Sequence, residues 1–168
     1  MLISLGVNPL GGDGNSMFAP ETKLTRAMLV QILYNLEKAT FVDEFSSFED
    51  VEDNAWYANS VAWAVKAGIV VGNGNCQFMP NQYVTREQLA VMLNRYANHK
   101  NYQTDRRIDL LRFSDRDSIS DWAEDAMNWA VAEKFFVGNN DYTINAGDSA
   151  TRAQGAKVLA YFIETYML

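Results

Sequence analysis

The sequence predicts an all-α domain built by tandem repetition, and three observations carry that prediction. A short pattern recurs as Leu24-Thr25-Arg26-Ala27, Val84-Thr85-Arg86-Glu87 and Ala150-Thr151-Arg152-Ala153. Each copy opens a stretch whose apolar residues fall at helical spacing. At a fixed distance before each Thr stands a glycine, Gly12, Gly72 and Gly138. Self-similarity at so long a period is the signature of an array of supersecondary units, each of which buries its apolar face on its neighbours.

The second copy is complete and shows the unit. Asp53 and Asn54 precede a stretch over 55–67 in which Trp56, Ser60, Val61, Ala64 and Val65 recur at helical spacing, and Gly68 supplies its C-terminal stop. The run Gly72-Asn73-Gly74-Asn75 predicts a sharp, glycine-rich loop before Phe78-Met79-Pro80. Thr85 is then the N-cap of a second helix, Gln88 completes a capping box, and Leu89, Met92, Leu93 and Tyr96 form the buried stripe.

The third copy repeats this with a helix over 122–133, a box of Thr151 and Gln154, and a stripe of Val158, Leu159 and Phe162, with Gly155 as an interruption. The first copy keeps only the second half. Thr25 caps a helix over 25–39, but Met28 stands where Glu or Gln would complete the box. Residues 1–11 are too short for a first helix, so the stripe of Leu29, Ile32, Leu33 and Leu36 is expected to lack its own partner. Closure by the helix over 151–166 keeps the chain monomeric; a second chain on the same stripe makes a dimer. The expectation is one domain over 1–168, with a partial repeat at 1–40, complete repeats at 41–100 and 101–168, and five main helices. The connectors 40–52 and 99–120 are polar, each pinned by an aromatic, Phe48 or Phe113.

Composition bounds the function. A chain of 168 residues with 48% hydrophobic residues buries a core of its own, and no apolar run approaches a membrane span. A net charge of −7 opposes nucleic acid and polyanions in bulk, so an anionic ligand binds only where a particular arginine outweighs the field. The single cysteine, Cys76, excludes an internal disulfide and is read as a small semi-buried residue. No carboxylate pair recurs with the repeat, which argues against a glycosidase. The Gly12-Asp13-Gly14-Asn15 run lacks the alternating ligands of a calcium loop. No metal or cofactor is expected. Met1-Leu2-Ile3-Ser4-Leu5-Gly6 does not read as a signal peptide.

The ordered string Phe48-Xaa-Asp50-Val51, Trp56-Tyr57, Val61, Ala64, Ala67-Gly68-Ile69-Val70, Gly72, Gly74, Phe78-Xaa-Pro80 and Val84-Thr85-Arg86-Glu87 resembles an S-layer homology module almost in full. The third copy resembles it with Asn140 for the second loop glycine and Ala146 for the proline, and the first from Gly12 through Leu36. The resemblance implies a pseudo-threefold, three-pronged helical domain. It also implies a non-catalytic, extracellular wall anchor. Such modules bind secondary cell-wall polymers of Gram-positive bacteria in grooves between modules, often through pyruvylated N-acetylmannosamine. The family's Thr-Arg-Ala-Glu motif contributes to those grooves. Carried over, the candidate ligand residues are Arg26, Arg86 and Arg152 with Thr25, Thr85 and Thr151. The motif's final glutamate is replaced by Met28, Gln88 and Gln154.

The chemistry of these residues suits an anionic sugar. A guanidinium presents two parallel donors to a pyruvyl carboxylate, and the first turn of a helix offers backbone N–H groups to the same anion. Arg86, in the most complete copy, is the leading candidate. Gly12, Gly72 and Gly138 would let backbone amides approach hydroxyls. The four tryptophans are read first as core, with Trp56, Tyr57 and Trp122 as the alternatives that would face a pyranose ring. Asp50 and Asp115 cap a turn or helix or touch the ligand. The rival reading is a helical-repeat protein-interaction or oligomerisation module.

Overall fold

The structure, a computed structural model, describes residues 19–39 and 48–168. Five α-helices stand among them: α1 (Arg26–Glu37), α2 (Ala58–Lys66), α3 (Arg86–His99), α4 (Glu124–Ala132) and α5 (Arg152–Tyr166). Helices α1, α3 and α5 follow the recurring Thr, and α2 and α4 are the first helices of copies two and three. Thr25, Thr85 and Thr151 each accept from the backbone N–H three residues on, at 3.2 Å. Gln88 and Gln154 complete the capping boxes, and Met28 leaves the first half made. The first helices are shorter than their sequence pattern. Residues 55–57 form a turn before α2, and Asp121–Ala123 form a 3₁₀ turn before α4. Gly68 ends α2 at φ +70, and Lys134 takes the same left-handed position after α4 at φ +64.

The copies are joined at the residues preceding each second helix. Leu24 N–H donates to Ala150 C=O at 2.9 Å, Ala150 N–H to Val84 C=O at 2.8 Å, and Val84 N–H to Leu24 C=O at 2.9 Å, which closes a cycle. A second set runs from Arg26 N–H to Gln82 C=O, Arg86 N–H to Asp148 C=O and Arg152 N–H to Thr22 C=O. A third runs from Ala27 to Pro80, Glu87 to Ala146 and Ala153 to Pro20. Short antiparallel pairings thus link all three copies in a ring, with Leu24, Val84 and Ala150 buried at its centre.

Helix pairing crosses the repeat boundaries. Helix α1 packs on α2 and α3 on α4, so a second helix lies against the first helix of the following copy. Leu29, Ile32, Leu33 and Leu36 are buried within the chain, and the helix that packs along α1 is α2 of copy two instead of the expected helix over 151–166. Tyr34 meets Trp63 edge-on at 5.8 Å across this contact. The position in copy one equivalent to α2 and α4 precedes Ala19 and lies outside the described residues.

Gly155 does not interrupt α5, which runs unbroken from Arg152 to Tyr166. A Cβ there would come within 2.9 Å of Leu24 Cδ2. Its equivalents are Leu29 and Leu89, so a large residue in the ring at position 24 is matched by an absent side chain on the helix it meets. Overpacking such a site costs about 1–3 kcal/mol. G155L alone should lower the denaturant midpoint accordingly, whereas L24A combined with G155L should recover much of the loss. Additive effects in that double-mutant cycle would show that the two positions do not compensate.

Between α1 and α3, Glu37 accepts from Tyr96 Oη at 2.9 Å and Lys100 Nζ at 2.7 Å. Burial pushes the Glu37 carboxyl up, but these two hydrogen bonds and the Lys100 charge outweigh it and hold its pKa below the ordinary value. A depressed carboxylate stabilises the fold above its unfolded pKa, and that contribution disappears as pH falls through the folded one. E37Q should thus cost about 1 kcal/mol at pH 7, with the difference from the parent vanishing in acid. A pH-independent difference in thermal melts would contradict this assignment.

Candidate carbohydrate-binding groove

The recurring arginine reaches the loop of the following copy. Arg26 Nε donates to Phe78 C=O at 2.8 Å, and Arg86 Nε donates to Ile144 C=O at 2.9 Å. The Arg26 guanidinium also lies 4.9 Å from the Phe78 ring centroid, and that of Arg86 lies 4.9 Å from Phe136. Burial lowers the pKa of both; Asp50 opposes this at Arg26, where Arg95 adds to it, while Asp148 and Asp115 oppose it at Arg86. Arg152 is also buried, and the loop equivalent to its target precedes Ala19, outside the described residues. Gly12 lies in that loop and is likewise outside them.

The first-turn amides are already taken. In each second helix the first two N–H groups donate to the loop of the next copy and the third to the capping Thr. The expectation that these N-termini offer amides to an anion therefore fails, because the inter-copy ring consumes them. Thr25, Thr85 and Thr151 are occupied as caps.

Asp50 and Asp115 hold the loops from inside. Asp50 accepts from Phe78 N–H and Met79 N–H, both at 2.7 Å, and Asp115 accepts from Ile144 N–H at 2.8 Å and Asn145 N–H at 2.7 Å. Met79 and Asn145 are left-handed, at φ +59 and +50, and Ala19 shares the position at φ +42. Two successive N–H groups turned to one side form a nest for an anion, and the protein's own carboxylate fills it. Gly72 and Gly138 belong to the same clamp. A Cβ on Gly72 would stand 2.6 Å from Phe48 Cε1, and one on Gly138 would collide with Phe113.

Two grooves lie among the described residues between copies. Groove one, of about 540 Å³, is walled by Arg26 of copy one, by Val71, Gly72, Asn73 and Met79 of the second loop, by Gln88, Val91, Met92 and Arg95 along α3, and by Trp122 of copy three. Groove two, of about 310 Å³, is lined by Lys23, Arg86, Asn139, Asn145, Asp148, Ser149 and Gln154. Arg86 therefore serves the loop of copy three, and Arg26 serves the larger groove beside copy two.

Trp63 and Trp129 are core, but Trp56 and Trp122 are 56% and 58% exposed, so the core reading fails for these two. Trp56 meets Tyr57 edge-on at 5.1 Å. Glu87, in the motif of copy two, accepts from Ser120 N–H at 3.0 Å and Ser120 Oγ at 3.1 Å, two residues before Trp122. That contact fixes the entry to the tryptophan's turn. Cys76 is exposed rather than semi-buried. Gln88, Met92 and Arg95 were not among the sequence candidates, although their spacing along one face of α3 would have linked them.

Residues 47–90 and 112–156, together more than half of the chain, match the S-layer homology domain. The chain belongs to this family. Its relatives include the amylopullulanase of Thermoanaerobacterium thermosulfurigenes, 31% identical over 91% of this chain and 8% of that protein. The surface-layer 125 kDa protein of Lysinibacillus sphaericus is 29% identical over 97% of this chain and 13% of its own length. The S-layer protein sap of Bacillus anthracis is 29% identical over 89% of this chain and 18% of its own. The chain thus spans less than a fifth of these relatives. S-layer homology modules are non-catalytic cell-surface anchors, and the enzymes among the relatives match only through this small share, so no catalytic activity passes to the chain.

The loop clamp makes a measurable demand on stability. D50A and D115A each remove a carboxylate accepting two backbone donors and leave a left-handed residue unsupported, for an expected loss of about 3 kcal/mol. Urea titration reads the loss, and an unchanged midpoint would show that the loops hold without their aspartates.

Proposed function

We propose that this S-layer homology array binds an anionic, pyruvylated secondary cell-wall polysaccharide in groove one and so holds a larger protein at the wall of a Gram-positive cell. The observation that carries this reading is the make-up of that groove. Its volume suits one or two sugar units, and its walls combine apolar side chains with a few convergent polar groups. The exposed indole of Trp122 offers a flat apolar face to a pyranose, Gln88 keeps Nε2 for a hydroxyl or acetamido group while its Oε1 caps α3, and Arg26 and Arg95 offer charge to a carboxylate. The candidate residues thereby divide by role and by groove. Arg26, Gly72 and Trp122 line groove one, and Arg86 lines groove two. Thr25, Thr85, Thr151, Asp50 and Asp115 act by fixing the loops and helix starts. Arg152, Gly12 and Trp56 belong by register to a third inter-copy position.

The interaction-module reading drew its support from an uncovered stripe on copy one, and α2 covers that stripe. Sedimentation with purified walls tests the proposal. The chain should pellet with intact walls, should stay in solution once the secondary polymer has been extracted, and should pellet poorly with walls stripped of ketal groups. Raising salt should weaken binding only modestly, since few charges take part. Equal sedimentation with extracted walls would overturn the polysaccharide reading, and equal binding to depyruvylated walls would overturn the role of the carboxylate.

A further inference from the structure

We infer that Arg95 is the residue that selects an anionic sugar in groove one, with the motif arginine acting mainly to position the loop. This inference rests on the reading that groove one holds a wall sugar, and it names which group reads the charge.

The two guanidinium groups lining groove one are not equivalent. Arg26 spends Nε on Phe78 C=O, directs Nη2 toward Val71 C=O at 3.4 Å and lies on the Phe78 ring. Two of its five N–H donors are thus turned to loop carbonyls, and its plane is held on the ring. Arg95 is half-buried on α3 and lines the same groove, and no carboxylate among the described residues is at ion-pair distance from it. The groove lining contains both guanidinium groups and no carboxylate. Two like charges in a partly dry cleft, one pressing on the other, favour a bound anion. The planar fork of Arg95 retains both parallel donors that a carboxylate needs.

Groove two shows the contrast. There Arg86 faces Asp148, which lines the groove with it, and also senses Asp115. Its positive charge is answered from within the protein. At the position of Arg95 the other copies carry Asn35 and Tyr161, so copy two alone places a guanidinium at this position of the repeat. Met92 and Trp122 flank the site with apolar surface, which strengthens any ion pair formed there by excluding water.

The test uses the whole chain and two probes, the methyl glycoside of pyruvylated N-acetylmannosamine and its carboxylate methyl ester, titrated by calorimetry. The parent chain should prefer the acid to the ester by about tenfold, as one charge-assisted pair implies. R95Q should bind both alike, and R95K should restore part of the preference as a point charge. W122A should weaken both probes while keeping the preference. Since Arg95 makes no hydrogen bond or ion pair among the described residues, R95Q should melt as the parent does. An R95Q chain that keeps the parental acid-to-ester ratio, or a parent chain that shows no preference for the acid, overturns the inference while leaving wall sedimentation intact. A parent chain that binds neither probe nor walls overturns the underlying reading instead.

Discussion

Everything in this domain hangs on the closed cycle of backbone hydrogen bonds among Leu24, Val84 and Ala150 and on the two parallel sets beside it. Each such bond contributes about 1 kcal/mol net. Their geometry matters more than their sum. Within each set every copy donates to one neighbour and accepts from the other, the inner cycle running in the opposite sense to the two outer sets, and the start of each second helix is thereby fixed relative to a loop that belongs to a different copy. That arrangement sets the direction of the motif arginine, delivers the loop carbonyls that receive Nε, and opens the grooves between copies rather than within them.

The same constraint decides which polar groups are left for a ligand. Helix N-termini and nests of successive amides are ready-made anion sites, and this fold has several of both. It fills them itself: ring partners and threonines take the helix starts, and Asp50 and Asp115 take the nests. Polar groups buried without partners are costly, so an assembly with so many inter-copy contacts satisfies its own donors first. What stays available is what the fold has no use for, and in groove one that is Arg95 and the exposed Trp122, with the Nε2 of Gln88, whose Oε1 is spent on the capping box.

Much of this was legible in the residues. The caps at Thr25, Thr85 and Thr151, the half-made box at Met28, the stop at Gly68 and the buried stripes follow from local chemistry, and local chemistry acted as it does in any helix. The partner of each element was not legible. A repeat tells which residues correspond and is silent on which copies touch, so the stripe of α1 seemed unpaired when α2 of the next copy packs along it. Exposure of Trp56 and Trp122 escaped for a related reason, since each lies in a turn before its helix and not on the helical stripe that the spacing suggested. Attention to recurrence also passed over Arg95, whose equivalents are Asn35 and Tyr161.

A closed cycle also has a fixed membership. An open stack of helical repeats lengthens by adding a unit to either end, because each end still presents the surface the next unit needs. Here the donors of the third copy are answered by the first in the two outer sets and by the second in the inner cycle, and the pairing closes on itself. A fourth copy arising by duplication would find nothing to pair with, and a lone copy would leave its ring amides and carbonyls without partners. Selection acting on such an array can retune the residues facing each groove independently, as the divergence of Arg95, Asn35 and Tyr161 shows, but it cannot adjust avidity by changing the number of units. Stronger attachment has to come from better grooves or from a second complete ring.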